Sequence, residues 1–187
     1  MTELSLVKPS SAELPPYVAA LERGWSPDNV RLETAAREEL DRIAADPAAF
    51  VASLDDPEAK GGPITLADGS KVLRLPGYRR WMWDGDFCGS ISFRWQQGTA
   101  VLPSYVLGHI GYAVVPWKRR LGYATQALAL LLPECRREGL AYVDLTTDPD
   151  NLASQKVITS NGGALHERFR AGAPYGDDEK LRFRIPL

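Results

Sequence analysis

The spacing of hydrophobic and polar positions changes near residue 78 of the chain. Before that point, apolar residues recur every three to four positions from Arg31 to Ala45 with charged residues on the opposite face, which predicts an amphipathic helix that Pro47 interrupts. A second helical pattern covers Leu14 to Leu21, and an apolar strand candidate lies at Leu4 to Val7. The first third is therefore predicted to be rich in helix.

Beyond residue 78 the pattern becomes that of strands alternating with helices. Aromatic and β-branched runs at Tyr78 to Trp83 and Phe87 to Trp95, separated by Asp84, Gly85 and Asp86, predict an antiparallel hairpin. The elements predicted after it are a strand at Leu107–Val115, a helix at Gly122–Arg137, a strand at Ala141–Thr147, a helix at Leu152–Ser160, and strands near Leu165–Phe169 and Leu181–Ile185. This order predicts an α/β (α+β) fold.

The two parts are joined by a segment rich in turn-forming residues, with Asp55-Asp56-Pro57, Gly61-Gly62-Pro63 and Asp68-Gly69. We interpret it as a surface loop and not as a domain linker, because the first part is too short to hold its own core. At 187 residues, with 44% hydrophobic and 25% charged residues, the chain fits one globular domain over 1–187. Its helix-rich part would be 1–70 and its main sheet region 78–187.

Charge and cysteine usage exclude several classes of function. The formal net charge of −2 and the pI near 5.7 give no overall basic surface, which argues against nucleic acid as a partner. No apolar run approaches the length that spans a bilayer, and no basic leader precedes an apolar stretch. We therefore expect a cytoplasmic protein that has no membrane partner. Cys88 and Cys135 are far apart and the two histidines lie in separate segments, so no metal site is expected.

The segment from Val114 to Thr125 carries the most chemistry. It passes from a predicted strand to a predicted helix, and Gly122 with Ala124 at the helix start allows a ligand to approach free backbone N–H groups. Lys118, Arg119 and Arg120 add local positive charge, so an anion such as phosphate is the expected ligand, although a solvated basic turn would look the same. The segment lacks GxxxxGK[ST] and GxGxxG, which argues against a P-loop or a Rossmann site.

The spacing Arg119-x-x-Gly122-x-Ala124 matches a Q/R-x-x-G-x-G/A pyrophosphate motif. Gly108-His109-Ile110-Gly111-Tyr112 precedes it, and a second matching stretch extends from Asp148 to Gly163. In these segments the chain resembles the GCN5-related N-acetyltransferase (GNAT) family, over roughly residues 78–187.

The resemblance implies a mixed central sheet with splayed middle strands, flanked by helices, and acetyl-CoA (coenzyme A) as cofactor. The pantetheine arm would lie between strands 107–115 and 141–147. The cofactor-binding residues implied are Ala113, Val114 and Val115 along the arm, Arg119, Arg120, Leu121, Gly122, Tyr123, Ala124 and Thr125 around the pyrophosphate, and Asn151 and Ser154 near the thiol. The alternative is that Asn151 is only the N-cap of the following helix and Ser154 only a first-turn residue, and both roles can coexist.

The implied activity is an N-acetyltransferase in which an amine of a small molecule or peptide attacks acetyl-CoA directly. Relatives carry a tyrosine acid where this chain has Ile158, so Ser154, a water, Tyr123 or Tyr175 are the alternatives for that role. His109 is a candidate base because of its ordinary pKa near 6.5, and a structural histidine is the competing interpretation. The catalytic residues expected are therefore His109 and Ser154.

Several alternatives stay open from the sequence. The chain is predicted to be an enzyme. The alternative hypothesis is a CoA- or acyl-CoA-binding module without transferase activity. The donor acyl group could be longer, or the acceptor a hydroxyl. The acceptor pocket is expected from the N-terminal helices and the loops at Gln96–Ser104 and Ala171–Glu179. A homodimer through the C-terminal strands is an alternative to an intramolecular role for Leu181, Phe183 and Ile185.

Overall fold

The computed structural model describes residues 3–66, 69–172 and 175–187, and it confirms the predicted order of helices and strands. A 3₁₀ turn at Pro116–Lys118 precedes the fourth helix. The helices are α1 Leu14–Glu22, α2 Leu32–Ala45, α3 Pro47–Ser53, α4 Tyr123–Arg137 and α5 Leu152–Thr159. The strands are β1 Ser5–Val7, β2 Asp55–Asp56, β3 Ile64–Thr65, β4 Lys71–Val72, β5 Gly77–Trp83, β6 Phe87–Arg94, β7 Ile110–Val114, β8 Tyr142–Thr147, β9 Ala164–Arg170 and β10 Glu179–Pro186.

The strands form two main antiparallel sheets that diverge between β7 and β8. The first sheet has the order β1-β5-β6-β7, with β2 also paired to β5, and the second has the order β8-β10-β9. The sheets are joined just before β7, where the His109 N–H donates to the Asp144 carbonyl at 2.7 Å. The α/β class is confirmed, and the expected splay lies at the boundary between two antiparallel sheets.

Helices cover both faces of the first sheet. On one face, α4 packs Leu128, Leu131 and Cys135 against the inward residues of β6. On the other face, the N-terminal helices surround Tyr17 and Trp81, whose rings stack with centroids 4.8 Å apart. Leu181, Phe183 and Ile185 of β10 are buried with the α4 cluster, so an intramolecular core explains them. Among the described residues, no helix has the length and apolarity needed to cross a membrane.

A buried polar network attaches α1 and α2 to β5. The Tyr17 hydroxyl donates to the Glu39 carboxylate, and Arg79 Nη1 donates to Glu39 Oε1 at 3.0 Å and to the Tyr17 hydroxyl oxygen at 2.9 Å. Burial raises the pKa of Tyr17 well above its ordinary value, so the hydroxyl keeps its proton and remains a donor. The network fixes the helical layer in one position against the sheet.

Local structure differs from the sequence prediction at several points of the N-terminal part. Pro47 begins a new helix, α3, because its fixed φ suits the first helical position and Asp46 caps that helix by accepting from the Ala49 N–H at 2.9 Å. The predicted surface loop contains β2, which joins the first sheet, and the β3–β4 ribbon. The turn former Asp68 lies outside the described residues.

Gly89 permits the close approach of β6 to β7. Its φ is +147°, and a Cβ at this position would lie 2.3 Å from the Ala113 carbonyl oxygen. We predict that Gly89→Ala lowers the free energy of unfolding by about 3 kcal/mol, from the steric clash and the unfavourable φ together.

Gly85→Ala is the matched control for this prediction. Gly85 also has a positive φ, +110°, but its Cβ would meet nothing within 4 Å. Gly85→Ala should lower the free energy of unfolding by only about 1 kcal/mol, because only the backbone conformation is unfavourable for alanine. Urea unfolding of both variants measures the difference, and equal losses would show that the approach of β6 to β7 does not depend on Gly89.

Candidate active site

The divergence of β7 from β8 leaves one edge of β7 open beyond the join at His109. The Val115 N–H donates to the Cys88 carbonyl at 3.0 Å, and the His109 carbonyl accepts from the Arg94 N–H at 2.9 Å, so the odd-numbered residues of β7 bond to β6. Because backbone groups alternate along a strand, those of Val114 face the open edge. The Val114 carbonyl oxygen there accepts from Arg119 Nε at 3.4 Å.

This alternation corrects part of the sequence prediction. Ala113 and Val115 were expected to pair with the cofactor arm together with Val114, but the Val115 amide is bonded to β6 and its side chain is fully buried. Ala113 lies in the same alternating set as Val115. Val114 is therefore the one of the three whose backbone groups are directed toward the cleft, because a strand residue cannot present its amide to both edges.

The loop between β7 and α4 has the backbone of an anion-binding turn. Arg120 and Gly122 both adopt left-handed φ values, +65° and +80°, and α4 begins directly after Gly122. No side chain among the described residues caps this helix end, so the N–H groups of Tyr123, Ala124 and Thr125 are directed at the space in front of the helix. Successive N–H groups in such a turn form a concavity for an oxyanion.

The three consecutive basic residues of this loop divide into two roles. The Lys118 side chain is turned inward, where its Nζ lies 2.7 Å from Asp84 Oδ1 in the β5–β6 turn. The Tyr123 hydroxyl donates to Asp84 Oδ2 at 2.5 Å. Burial alone would raise the pKa of Asp84, but these two bonds outweigh it and hold that pKa at about 2. Sequence reasoning missed the Lys118–Asp84 pair, because the two residues are far apart in the chain.

Arg119 and Arg120, in contrast, are exposed at the mouth of the loop with Leu121 beside them. The bonds of Lys118 and Tyr123 to Asp84 fix the inner side of the loop, and the two arginines face outward. This arrangement supplies both the N–H groups and the positive charge that a pyrophosphate requires.

A pair of hydroxyl groups bridges the open cleft. The Tyr112 hydroxyl on β7 lies 2.8 Å from Ser154 Oγ on α5. Asn151 caps α5 by accepting from the Ser154 N–H at 3.0 Å, so its N-cap role is observed. Burial raises the pKa of Tyr112 and the bond with Ser154 opposes that shift, and the tyrosine is protonated at neutral pH. Tyr112 was not singled out as a catalytic candidate, although it ends the Gly108–Tyr112 segment.

The alternatives to Ser154 are engaged elsewhere. Ile158 is buried in the α4 cluster, so the position of the family's tyrosine is apolar here. Tyr123 donates to Asp84, and the Tyr175 hydroxyl donates to the Tyr105 carbonyl at 2.8 Å. Ser154 is thus the predicted residue that the structure places beside another proton donor at the cleft.

His109 has the geometry of a structural residue. Its side chain is fully buried, and its Nδ1 accepts from the Asp144 N–H at 2.9 Å. Burial lowers the pKa of the imidazole to about 4, so it is neutral at physiological pH. The two backbone bonds to Asp144 place His109 at the join between the sheets, where no solvent reaches it. The geometry favours the structural interpretation of His109 over that of a base.

A pocket of about 360 Å³ opens on the side of the first sheet that faces the N-terminal helices. Its walls are formed by residues of the segments 53–66 and 72–79, by the end of β6, and by Tyr105, Val106 and Tyr175. The predicted acceptor loops contribute Tyr175 from 171–179, whereas the segments 53–66 and 72–79 and the end of β6 supply most of the wall. The Ser92 wall of this pocket pairs with Gly111 of β7, the residue before Tyr112.

Comparisons with known proteins identify the family of this chain. Residues 29–164 match the model of the acetyltransferase (GNAT) domain family, and the chain belongs to that family. This membership confirms the resemblance and the acetyltransferase class predicted from the sequence. No curated protein matches the chain by sequence.

Solved structures with low sequence identity share the fold. The microcin C7 self-immunity acetyltransferase MccE, solved with acetyl-CoA and AMP, is similar with a TM-score of 0.64 and 13% identity over 100% of this chain and 94% of that one. A Salmonella typhimurium acetyltransferase that modifies the N-terminal serine of ribosomal protein L7/L12 gives 0.63 and 15%, over 100% and 96%. Mycobacterium smegmatis RimJ, solved with a CoA disulfide, gives 0.60 and 18%, over 98% and 82%.

The burial of His109 predicts how stability changes with pH. The unfolded histidine titrates near its ordinary pKa and the folded one at about 4, so the unfolded state binds more protons between these values. Stability should therefore fall as pH drops from about 6.5 to about 4, at up to about 1.4 kcal/mol per pH unit from this residue.

His109→Asn tests the assignment because the Asn oxygen can still accept from the Asp144 N–H. We expect the variant to lose this part of the pH dependence, whereas His166→Asn on exposed β9 keeps it. Urea unfolding at several pH values gives the slopes. An unchanged slope in His109→Asn would show that His109 is not held neutral by burial.

Proposed function

We propose that this chain is an acetyl-CoA-dependent N-acetyltransferase whose acceptor is an amine of a small molecule or peptide. The observation that carries the proposal is the Tyr112–Ser154 hydroxyl pair, which lies across the cleft between β7 and β8 at 2.8 Å. A module that only binds CoA has no need of a proton donor at that point. The buried Ile158 therefore does not leave the site without an acid.

The residues present fit the two halves of the cofactor. The left-handed turn at Arg120 and Gly122, with the uncapped start of α4 and exposed Arg119, suits a pyrophosphate. The outward-facing backbone groups of Val114 suit the amide groups of a pantetheine arm, which can pair like a strand. Tyr123, Ala124 and Thr125 contribute N–H groups, and the Tyr123 side chain secures the loop through Asp84.

We assign the proton chemistry at the cleft to Ser154 and Tyr112. When bound, acetyl-CoA supplies an acetyl group already activated as a thioester. The Ser154 hydroxyl would donate the proton that the departing sulfur needs, Tyr112 would return a proton to Ser154 through the 2.8 Å contact, and Tyr112 would regain its own proton from water. Asn151 holds the Ser154 backbone and so fixes the side chain at the start of α5.

The proton of the attacking amine leaves, in this proposal, through water in the open pocket. His109 is fully buried away from the cleft, so its imidazole cannot accept the proton of the amine. We further propose a cytoplasmic location, which the two buried free thiols, Cys88 and Cys135, support. Homodimerisation stays a prediction for light scattering to test.

Removing either hydroxyl of the pair should slow catalysis while leaving acetyl-CoA binding intact. We predict that Ser154→Ala lowers kcat by about 100-fold, the usual effect of losing a general acid, and that Tyr112→Phe lowers it less. Because neither substitution alters the loop before α4, the Kd for acetyl-CoA should stay within about twofold.

Ser160→Ala, at the exposed end of the same helix, is the control and should match the native rate. Release of free CoA with an accepted amine gives kcat, and titration calorimetry gives the Kd. A native protein that binds acetyl-CoA but acetylates no amine would favour the module without transferase activity. Full activity in Ser154→Ala would exclude Ser154 as the acid.

A further inference from the structure

The pocket on the helical side of the first sheet contains an arginine, Arg94, for which the described part of the chain provides no ionic partner. Arg94 lies at the end of β6 and lines this pocket, where its Nη2 donates to Ser92 Oγ at 3.2 Å and its Nη1 contacts the Gly108 carbonyl oxygen at 3.5 Å. Neither contact carries negative charge. Across residues 3–66, 69–172 and 175–187, no carboxylate lies within 4 Å of this guanidinium.

The other charged groups around the pocket are already matched. Arg79 pairs with Glu39 at 3.0 Å. Arg74 lies 3.9 Å from Asp56, whose carboxylate also accepts the N–H groups of Lys60 and Gly61. Of the described lining residues, three are arginines and one is a carboxylate, so with Glu39 behind Arg79 one positive charge is left over.

The nearest acidic group outside the lining does not neutralise Arg94 either. Asp28 acts on Arg94 only at a distance, and its carboxylate accepts the N–H groups of Val30 and Arg31 and the Arg31 side chain. Burial, reinforced by the charge of Arg79, lowers the pKa of Arg94. A partly buried guanidinium without a counter-charge is costly to fold, which points to a ligand that completes it.

The position of Arg94 relates this surplus charge to the catalytic cleft. Ser92 Oγ, which binds Arg94, also donates to the Gly111 carbonyl at 3.3 Å. Gly111 has no side chain, and even a Cβ there would stand 3.9 Å from Arg94 Nη2. The next residue on β7 is Tyr112, which contacts Ser154. The arginine end of the pocket therefore lies against the part of β7 that borders the cleft.

Tyrosines close the pocket from the loop side. The Tyr175 hydroxyl donates to the Tyr105 carbonyl at 2.8 Å, and the Tyr105 hydroxyl donates to the Leu73 carbonyl at 2.8 Å. These bonds join the loops before β5, before β7 and before β10. The resulting volume of about 360 Å³ suits a small molecule or the end of a peptide.

We propose that the acceptor amine carries an oxyanion group, a carboxylate or a phosphate, which Arg94 binds in this pocket with the amine directed toward the opening between β7 and β8. The planar guanidinium matches either oxyanion with two parallel hydrogen bonds. This inference rests on the proposed function and adds the chemical class of the substrate to it.

Matched amine pairs test the proposal on the full chain with CoA present. Comparing the affinities of amino acids and their carboxamides tests recognition of a carboxylate. Comparing aminoalkyl phosphates with the corresponding amino alcohols tests recognition of a phosphate. We expect the anionic member of at least one set to bind about tenfold tighter or more, as measured by titration calorimetry. In Arg94→Gln the two members should bind within about twofold of each other.

Two further variants separate the charge of Arg94 from general effects. Arg94→Lys keeps the charge without the two-pronged geometry and should retain part of the preference. Arg80→Gln is the control, because Arg80 lies on β5 outside the pocket lining and pairs with Asp55 at 2.9 Å. It should leave the preference as it is in the native chain. Thermal unfolding of each variant without ligand confirms that it is folded.

Equal binding of anionic and neutral members throughout, or no binding of any member, would overturn the proposal, as would a preference that persists in Arg94→Gln. Failure of the proposed function has a different signature. In that case acetyl-CoA does not bind, or no amine releases free CoA from it, while the oxyanion preference of the pocket is still measurable. The two failures are therefore distinguishable.

Discussion

The site depends on how β7 and β8 separate. The His109 N–H and Nδ1 both bond to the backbone of Asp144, and this joins the two sheets at one end. Gly108 beside it has no side chain, and a Cβ there would lie 3.0 Å from the Asp144 carbonyl oxygen. Beyond this join, β6 is the one strand among the described residues that pairs with β7, so the backbone of Val114 faces a cleft that another strand would otherwise fill.

The groups around this cleft are held from the protein interior. Asp84 in the β5–β6 turn fixes Lys118 and Tyr123, and the loop between them can then expose Arg119 and the N–H groups in front of α4. Ser154 is held by Asn151 on one side and by Tyr112 on the other. In the loop before α4 and at the start of α5, the residues that face the cleft are thus held by neighbouring residues. This arrangement limits the reorganisation needed when a ligand binds.

Much of the fold could be predicted because the hydrophobic periods are regular. The amphipathic stripes of α2 and α4 and the aromatic hairpin of β5 and β6 gave the correct elements. The short strands β2, β3 and β4 could not be predicted, since two residues carry no period and tertiary pairing decides them. The loop before α4 could be predicted as an anion site because its glycine, small residue and basic residues lie within one short stretch of sequence.

The remaining parts of the site depend on contacts between distant segments. Asp84 meets Lys118 across 34 positions, and Tyr112 meets Ser154 across 42, so no local spacing revealed either pair. The ordinary pKa of histidine made His109 a candidate base. Its protonation state depends on its burial, however, and only the structure shows that burial. Val115 likewise seemed available until the pairing of β7 with β6 was known.

Thermal unfolding with and without acetyl-CoA tests the central claim most directly, which is that the loop before α4 and the open edge of β7 form the cofactor site. At a ligand concentration about 100 times the Kd, the native chain should gain about 2.7 kcal/mol, which corresponds to a rise in Tm of about 5–10 °C at this size. The Arg119→Glu, Gly122→Trp double variant should show no rise. An equal rise in both proteins, or none in the native chain with any CoA species, would contradict the account.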